Sequence, residues 1–193
     1  MKKVISICFI LLVVAFASVF LYNPQLSNNA LEQQVLSQQK YYLILQDRKV
    51  PIDIFVKPEW IPKAQDEEII IQEVVATIEG NDILLDNVAY RENDIYFSFT
   101  TKNNMQRNGG ILIANQIIEK NGEVSSGNFL SLLNLNNANG EVIIPGQLGI
   151  GPGFDFSLGV ELEDAPSIQQ GFYVKNASYM LYRYKKKFFE FGE

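Results

Sequence analysis

The stretch Phe154-Asp155-Phe156-Ser157-Leu158-Gly159-Val160-Glu161-Leu162 decides the fold class. Its large apolar side chains fall on every second residue, with Asp155, Ser157, Gly159 and Glu161 between them. A period of two is the period of a strand, so this reads as a half-buried strand with one dry and one wet face. Ile95, Phe97 and Phe99 alternate with Tyr96, Ser98 and Thr100 in the same way. Further strands are expected over 69–79, 83–90, 171–176 and 178–191, where branched and aromatic residues dominate. Asn121-Gly122 and Asn139-Gly140 interrupt this pattern, and Asn-Gly favours the positive φ angles of a type I′ hairpin turn. Roughly eight to ten short strands separated by turns indicate an all-β fold, an antiparallel β-sandwich of Ig-like or jelly-roll-like type, with a partly closed barrel as the second choice.

Upstream of residue 69 the pattern weakens. Residues 41–46 and 52–56 read as two short strands punctuated by Pro51, Pro58 and Pro62, and 63–68 as a charged link. Asn29 followed three residues later by Glu32 is a capping-box signal, which predicts a short helix over 30–40. The expected organisation is therefore an anchor or signal peptide over 1–25, a juxtamembrane stalk over 26–68 and a sandwich domain over 69–193.

Lys2 and Lys3 precede nineteen uncharged residues from Val4 to Tyr22. As a helix this run spans roughly 28 Å, enough to cross a bilayer, and the positive-inside rule leaves the N-terminus cytoplasmic and the rest outside. A single-pass protein of the cell envelope is the expectation. The rival is a cleaved signal peptide, since Ala15-Phe16-Ala17 is a small-x-small site and cleavage there leaves Ser18 as the new terminus. The continuing apolar stretch from Ser18 to Tyr22 favours retention.

Composition excludes several functions. The 193 residues carry a formal charge of −6, against the basic footprint of a nucleic-acid binder. There is no histidine, which removes Ser-His-Asp and Cys-His systems and most catalytic zinc sites. The one cysteine, Cys8, lies inside the apolar run, so no disulfide staples the exported part. No cofactor motif stands up either. The glycine-rich segment 145–153 has neither GxGxxG spacing nor a following Gly-Lys-Ser/Thr, and reads as an inter-strand loop. The asparagines around Gly140 lack the carboxylates of a calcium loop. Ser37-Gln38-Gln39-Lys40 has the Ser-x-x-Lys spacing without its companion elements. The expectation is no metal, no nucleotide and no catalytic residue.

What remains is a set of surface candidates. Over residues 179–189, alternation places Arg183, Lys185 and Lys187 on one face and Tyr182, Tyr184, Lys186 and Phe188 on the other. Cations interleaved with aromatics suit an anionic envelope polymer or lipid headgroups. The plainer reading, which the sequence favours, is an edge strand whose lysines prevent edge-to-edge pairing. Trp60, between Pro58 and Pro62, is either an exposed recognition aromatic or a buried ring docking the linker, and the second is favoured. Carboxylate pairs such as Asp155 with Glu161, or Glu161 with Glu163, are expected on the wet face of one strand and could serve a glycosidase without histidine. The functional expectation is a non-catalytic binding or assembly module at the envelope, whose partners are the membrane through Val4 to Tyr22 and an anionic polymer, headgroup or membrane protein. A carbohydrate-acting enzyme and a structural spacer are the alternatives.

Overall fold

The computed structural model describes residues 24–125 and 127–188. The period-two segments become strands β1 (Tyr41–Val56), β2 (Glu68–Ile78), β3 (Asn81–Tyr90), β4 (Asp94–Lys102), β5 (Gly109–Ala114), β6 (Ile117–Ile118), β7 (Val124–Ser125), β8 (Asn134–Asn137), β9 (Val142–Ile143), β10 (Gln147–Ile150), β11 (Phe156–Glu161) and β12 (Phe172–Lys186). Two helices flank them, α1 (Pro24–Leu36) and the short α2 (Ala165–Ile168). One five-stranded sheet, sheet B, has the order β10-β11-β4-β3-β2. Apart from a small β6-β7 pair, the second sheet, sheet A, runs β1-β12-β8-β9, with β5 beside β12 as well. Their strand pairs are antiparallel, and both sheets feed one apolar core, the arrangement of a β-sandwich. Phe97 and Phe156 of sheet B meet Phe172 and Tyr179 of sheet A there, and Phe129 packs edge-on against both Phe156 and Tyr179.

The long strand β12 is the spine of sheet A. Residues 172–175 pair with β8 and residues 180–185 with β5, while β1 runs along the opposite side for the whole length. A bulge at Asn176–Ser178 divides it. Asn176 holds this bulge by donating to the Phe129 carbonyl at 2.7 Å and accepting from the Ser178 backbone N–H at 2.7 Å. An extra residue in a strand exchanges its two faces. Before the bulge Phe172 and Val174 point into the core; after it Tyr179 and Leu181 do. Met180, Tyr182 and Tyr184 therefore point the other way, and α1 covers them with Val35, Leu31 and Leu36 to make a second apolar cluster. Each half of sheet A is thus buried on a different face.

Several sequence expectations change. The two short strands expected over 41–46 and 52–56 are one strand, and those expected over 171–176 and 178–191 are another, because bulges bend a strand without ending it. The helix begins at Pro24 rather than Ala30; proline suits a first turn, where the N–H has no intrahelical acceptor. Residues 147–150, expected as loop, form β10 on the edge of sheet B. Both hairpins form at the Asn-Gly sites, but not with type I′ turns. Only Gly122 and Gly140 have positive φ, and the bonds from Gly122 N–H to Glu119 and from Glu119 N–H to Glu123 close a three-residue loop with a glycine bulge. Finally, β1 and the turn after it belong to the sandwich: Ile52, Ile54, Val56, Trp60 and Ile61 are core residues. The boundary expected at residue 69 falls inside one fold.

Among the described residues no helix is long and apolar enough to cross a membrane, and the apolar run from Val4 to Tyr22 lies outside them.

Candidate functional site

The basic segment is not an edge strand. β12 has β1 on one side and β5 and β8 on the other, so its lysines do not guard a free edge. That work falls to the true edge, β1, where Asp47, Lys49 and Pro51 lie among three register shifts. Charged side chains on a central strand need a different explanation.

Two cross-strand rows define the surface around them. Tyr42, Lys185 and Gly109 form one row, and Ile44, Arg183 and Ile111 the next. This face continues the one on which Tyr179 and Leu181 enter the core, but past the reach of sheet B it is open. Tyr42 is 58% exposed and Ile44 56%, and Arg183 and Lys185 are exposed. Among the described residues neither cation makes an ion pair; the three ion pairs lie elsewhere, as Lys57–Glu73, Arg91–Asp94 and Lys175–Asp53. Lys187 differs from its two companions. Its ammonium donates to the Gln38 carbonyl at 2.7 Å and stands 5.1 Å from the Tyr42 ring centroid, so it ties β12 to the chain leaving α1 and steadies Tyr42. On the opposite side of the strand Tyr182 and Tyr184 are buried, and their hydroxyls accept the backbone N–H groups of Ile118 and Gln106. Phe188 is exposed just beyond the strand.

Trp60 lies elsewhere. It ends a 3-10 turn over Pro58–Trp60, is 7% exposed and packs in the core, with the Lys57 ammonium 4.4 Å over its ring. An aromatic in that setting docks the β1–β2 connection against the sandwich.

The carboxylates are rearranged too. Asp155 precedes β11 and Glu161 ends it, which separates them by about 20 Å at ~3.3 Å per residue, far beyond the ~5–9.5 Å of glycosidase pairs. Glu163 lies past the end of the strand, in the turn that leads to α2. Asp155 instead shares a polar cleft of about 320 Å³ with Glu32, lined also by Asn28 and Asn29 of α1 and by Thr100, Lys102 and Asn103 of β4 and its continuation. Glu32 accepts from Asn103 Nδ2 at 3.2 Å; Asp155 accepts from the Thr101 N–H at 2.9 Å. Burial pushes both carboxyls above their ordinary values. The hydrogen bond from Asn103 opposes this for Glu32 and that from Thr101 for Asp155, and the neighbouring charges of Asp155 and Asp86 respectively add to it. Nothing in the sequence pairs Glu32 with Asp155, since 123 positions separate them and only the docking of α1 brings them together. No group of three or more metal-ligating side chains occurs among the described residues.

Comparison with family models, with curated proteins and with solved structures found no match for this chain.

Proposed function

We infer that this protein is a membrane-anchored, extracytoplasmic β-sandwich that acts as a non-catalytic binding or assembly module at the cell envelope. One observation carries the reading: Arg183 and Lys185 are exposed and make no ion pair among the described residues, beside exposed Tyr42 and Ile44, on a central strand where edge protection gives them no role. The chain is acidic overall, so a bare cationic face on it supports an anionic ligand through charge complementarity. The anchor is the uncharged run from Val4 to Tyr22, and α1 is the stalk element, folded back onto the sandwich rather than extended from it. Strand order also bears on the sandwich type. Pairing of the first strand with the last, β1 with β12, supports the jelly-roll-like reading over the Ig-like one, while the consecutive run β2-β3-β4 within one sheet departs from both.

The test is retention of the full chain, in neutral detergent, on a sulfonated dextran matrix against plain dextran. The wild type is retained at low salt, and Arg183→Ser with Lys185→Ser is not. Equal behaviour of the two forms overturns the reading and leaves the spacer. The Glu32–Asp155 cleft favours a second reading, a carboxylate-dependent carbohydrate-acting enzyme, because two partly buried carboxyls line one cleft, where a glycosidase would need its pair. Hydrolysis across a glycan panel that disappears in both Glu32→Gln and Asp155→Asn would establish it; absence of turnover in the wild type removes it.

A further inference from the structure

We propose that the open face of sheet A holds a linear anionic glycan, a chain of sugar units bearing phosphate or carboxylate. The proposal rests on the binding-module reading and names its ligand. Arg183 and Lys185 are two residues apart on one strand, so their backbone positions are about 6.6 Å apart and both side chains leave the same exposed face. Two cations spaced along one exposed strand fit an extended polymer that offers one charge to each better than a single small anion. Arginine adds two-point recognition of phosphate or carboxylate that a lysine cannot give.

The uncharged members of the face supply the sugar contact. Tyr42 stands directly across from Lys185 and Ile44 across from Arg183, so each cation has an apolar neighbour on the β1 side. An exposed tyrosine ring gives the C–H face of a sugar a flat apolar partner and leaves its hydroxyl to water. On the other side of Lys185 lies Gly109, where an added Cβ would stand 2.7 Å from the Tyr184 carbonyl oxygen. That position cannot take a side chain without moving the sheet, so the flank opposite Tyr42 stays bare. A polymer can lie along β12 with Tyr42 as one wall.

Position separates a polymer from lipid headgroups. Gln38, bonded to Lys187, follows the C-terminal end of α1, whereas the apolar run precedes its N-terminal end. Thirteen helical residues put about 20 Å between those ends, roughly two Debye lengths at physiological salt. Lipid headgroups therefore reach the face only where α1 lies along the bilayer, while a polymer in the surrounding envelope is not limited to the bilayer plane.

The test uses the full chain in phosphatidylcholine nanodiscs with four soluble probes: polygalacturonate, phosphorylated dextran, polyphosphate and neutral dextran. Phosphatidylglycerol vesicles form a fifth arm. Expected is binding of one or both anionic glycans, weakened several-fold between about 50 and 200 mM salt, lost in Arg183→Ser with Lys185→Ser, and weakened on the order of tenfold in Tyr42→Ala but not in Tyr42→Phe. Which anionic glycan binds identifies the charged group. Polyphosphate bound as tightly as the glycans, with Tyr42→Ala neutral, overturns the glycan and leaves an anion-binding module. Capture by phosphatidylglycerol vesicles that needs Arg183 and Lys185, without glycan binding, moves the ligand to the bilayer. Failure of all anionic probes removes the binding-module reading itself. An unchanged melting temperature in each variant keeps a folding defect from imitating loss of binding.

Discussion

Asn103 finishes a sheet edge that no strand covers. Its side chain accepts the Ile113 N–H at 2.8 Å and donates to the Ile113 carbonyl at 3.2 Å, so one buried amide stands in for a neighbouring strand along β5, and it reaches Glu32 as well. Asn103→Ala leaves both backbone groups of Ile113 without partners in a buried place, and a loss of about 1–3 kcal/mol per unsatisfied group is expected in urea unfolding. Asn103→Asp keeps only the acceptor half and sets a second carboxylate beside Glu32, so it is expected to be no better. Glu32 carries a pH signature. Its folded carboxyl sits above the ordinary value of 4.5 through burial, so the native chain holds that proton more tightly than the unfolded chain. Stability from this group is present below pH 4.5 and is lost as the pH climbs through the raised folded value. Asp155 acts in the same direction from its ordinary value of 3.8. Glu32→Gln, which keeps the shape and cannot ionise, should therefore raise the melting temperature at pH 7 and flatten its dependence on pH through the weakly acidic range. A melting temperature lower than wild type at pH 7 would mean that the charged form is the one the cleft stabilises.

At the scale of elements, the sequence showed most where one face of a strand stays wet from end to end. β4 keeps that alternation and β11 departs from it at buried Gly159, while β3 reads as one strand although its alternation shifts phase between Leu85 and Asn87. β1 and β12 were each broken in two, because alternation changes phase at a bulge and a phase change looks like a turn in sequence. Alternation groups Arg183 with Lys185 but carries no sign of which strands flank them, since pairing order depends on contacts between distant segments. The carboxylate cleft was missed for the same reason. The largest consequence concerns residues 26–68. β1 supplies the whole partner of one side of β12, and Ile52, Ile54, Val56, Trp60 and Ile61 fill the core with it. A fragment starting at residue 69 is thus expected to lack a cooperative unfolding transition and to expose the Tyr182–Tyr184 face, since α1 is gone too. A fragment starting at residue 24 should unfold as one unit. Cooperative melting of the shorter fragment would show that β1 and α1 are accessory rather than integral.

For the whole molecule, the distribution of charge matters more than its sum. Lys40, Arg107, Lys185 and Lys186 gather with Arg183 and Lys187 where the end of β12 meets the start of β1: Lys187 N–H bonds to the Lys40 carbonyl, Lys186 N–H to Asn108, and the Tyr41 hydroxyl to Arg107. Among the described residues six basic side chains thereby gather at one end of a protein of net charge −6, and the chain links that end through α1 to the uncharged run from Val4 to Tyr22. If the run is a retained anchor, Lys2 and Lys3 stay on the cytoplasmic side and the cationic end faces outward, since moving charged residues across the bilayer centre costs several kcal/mol while nineteen apolar or neutral residues cross readily. The expected result is a protein that sediments with membranes, withstands salt and alkaline extraction, dissolves in detergent and keeps its original terminus. Protease added outside intact cells should remove epitopes in the sandwich and spare a tag placed before Lys2. Recovery of the protein from the medium with Ser18 as its first residue would instead identify the run as a signal peptide, and the cationic face would then have to find its ligand by diffusion, with binding at the envelope dependent on that face alone.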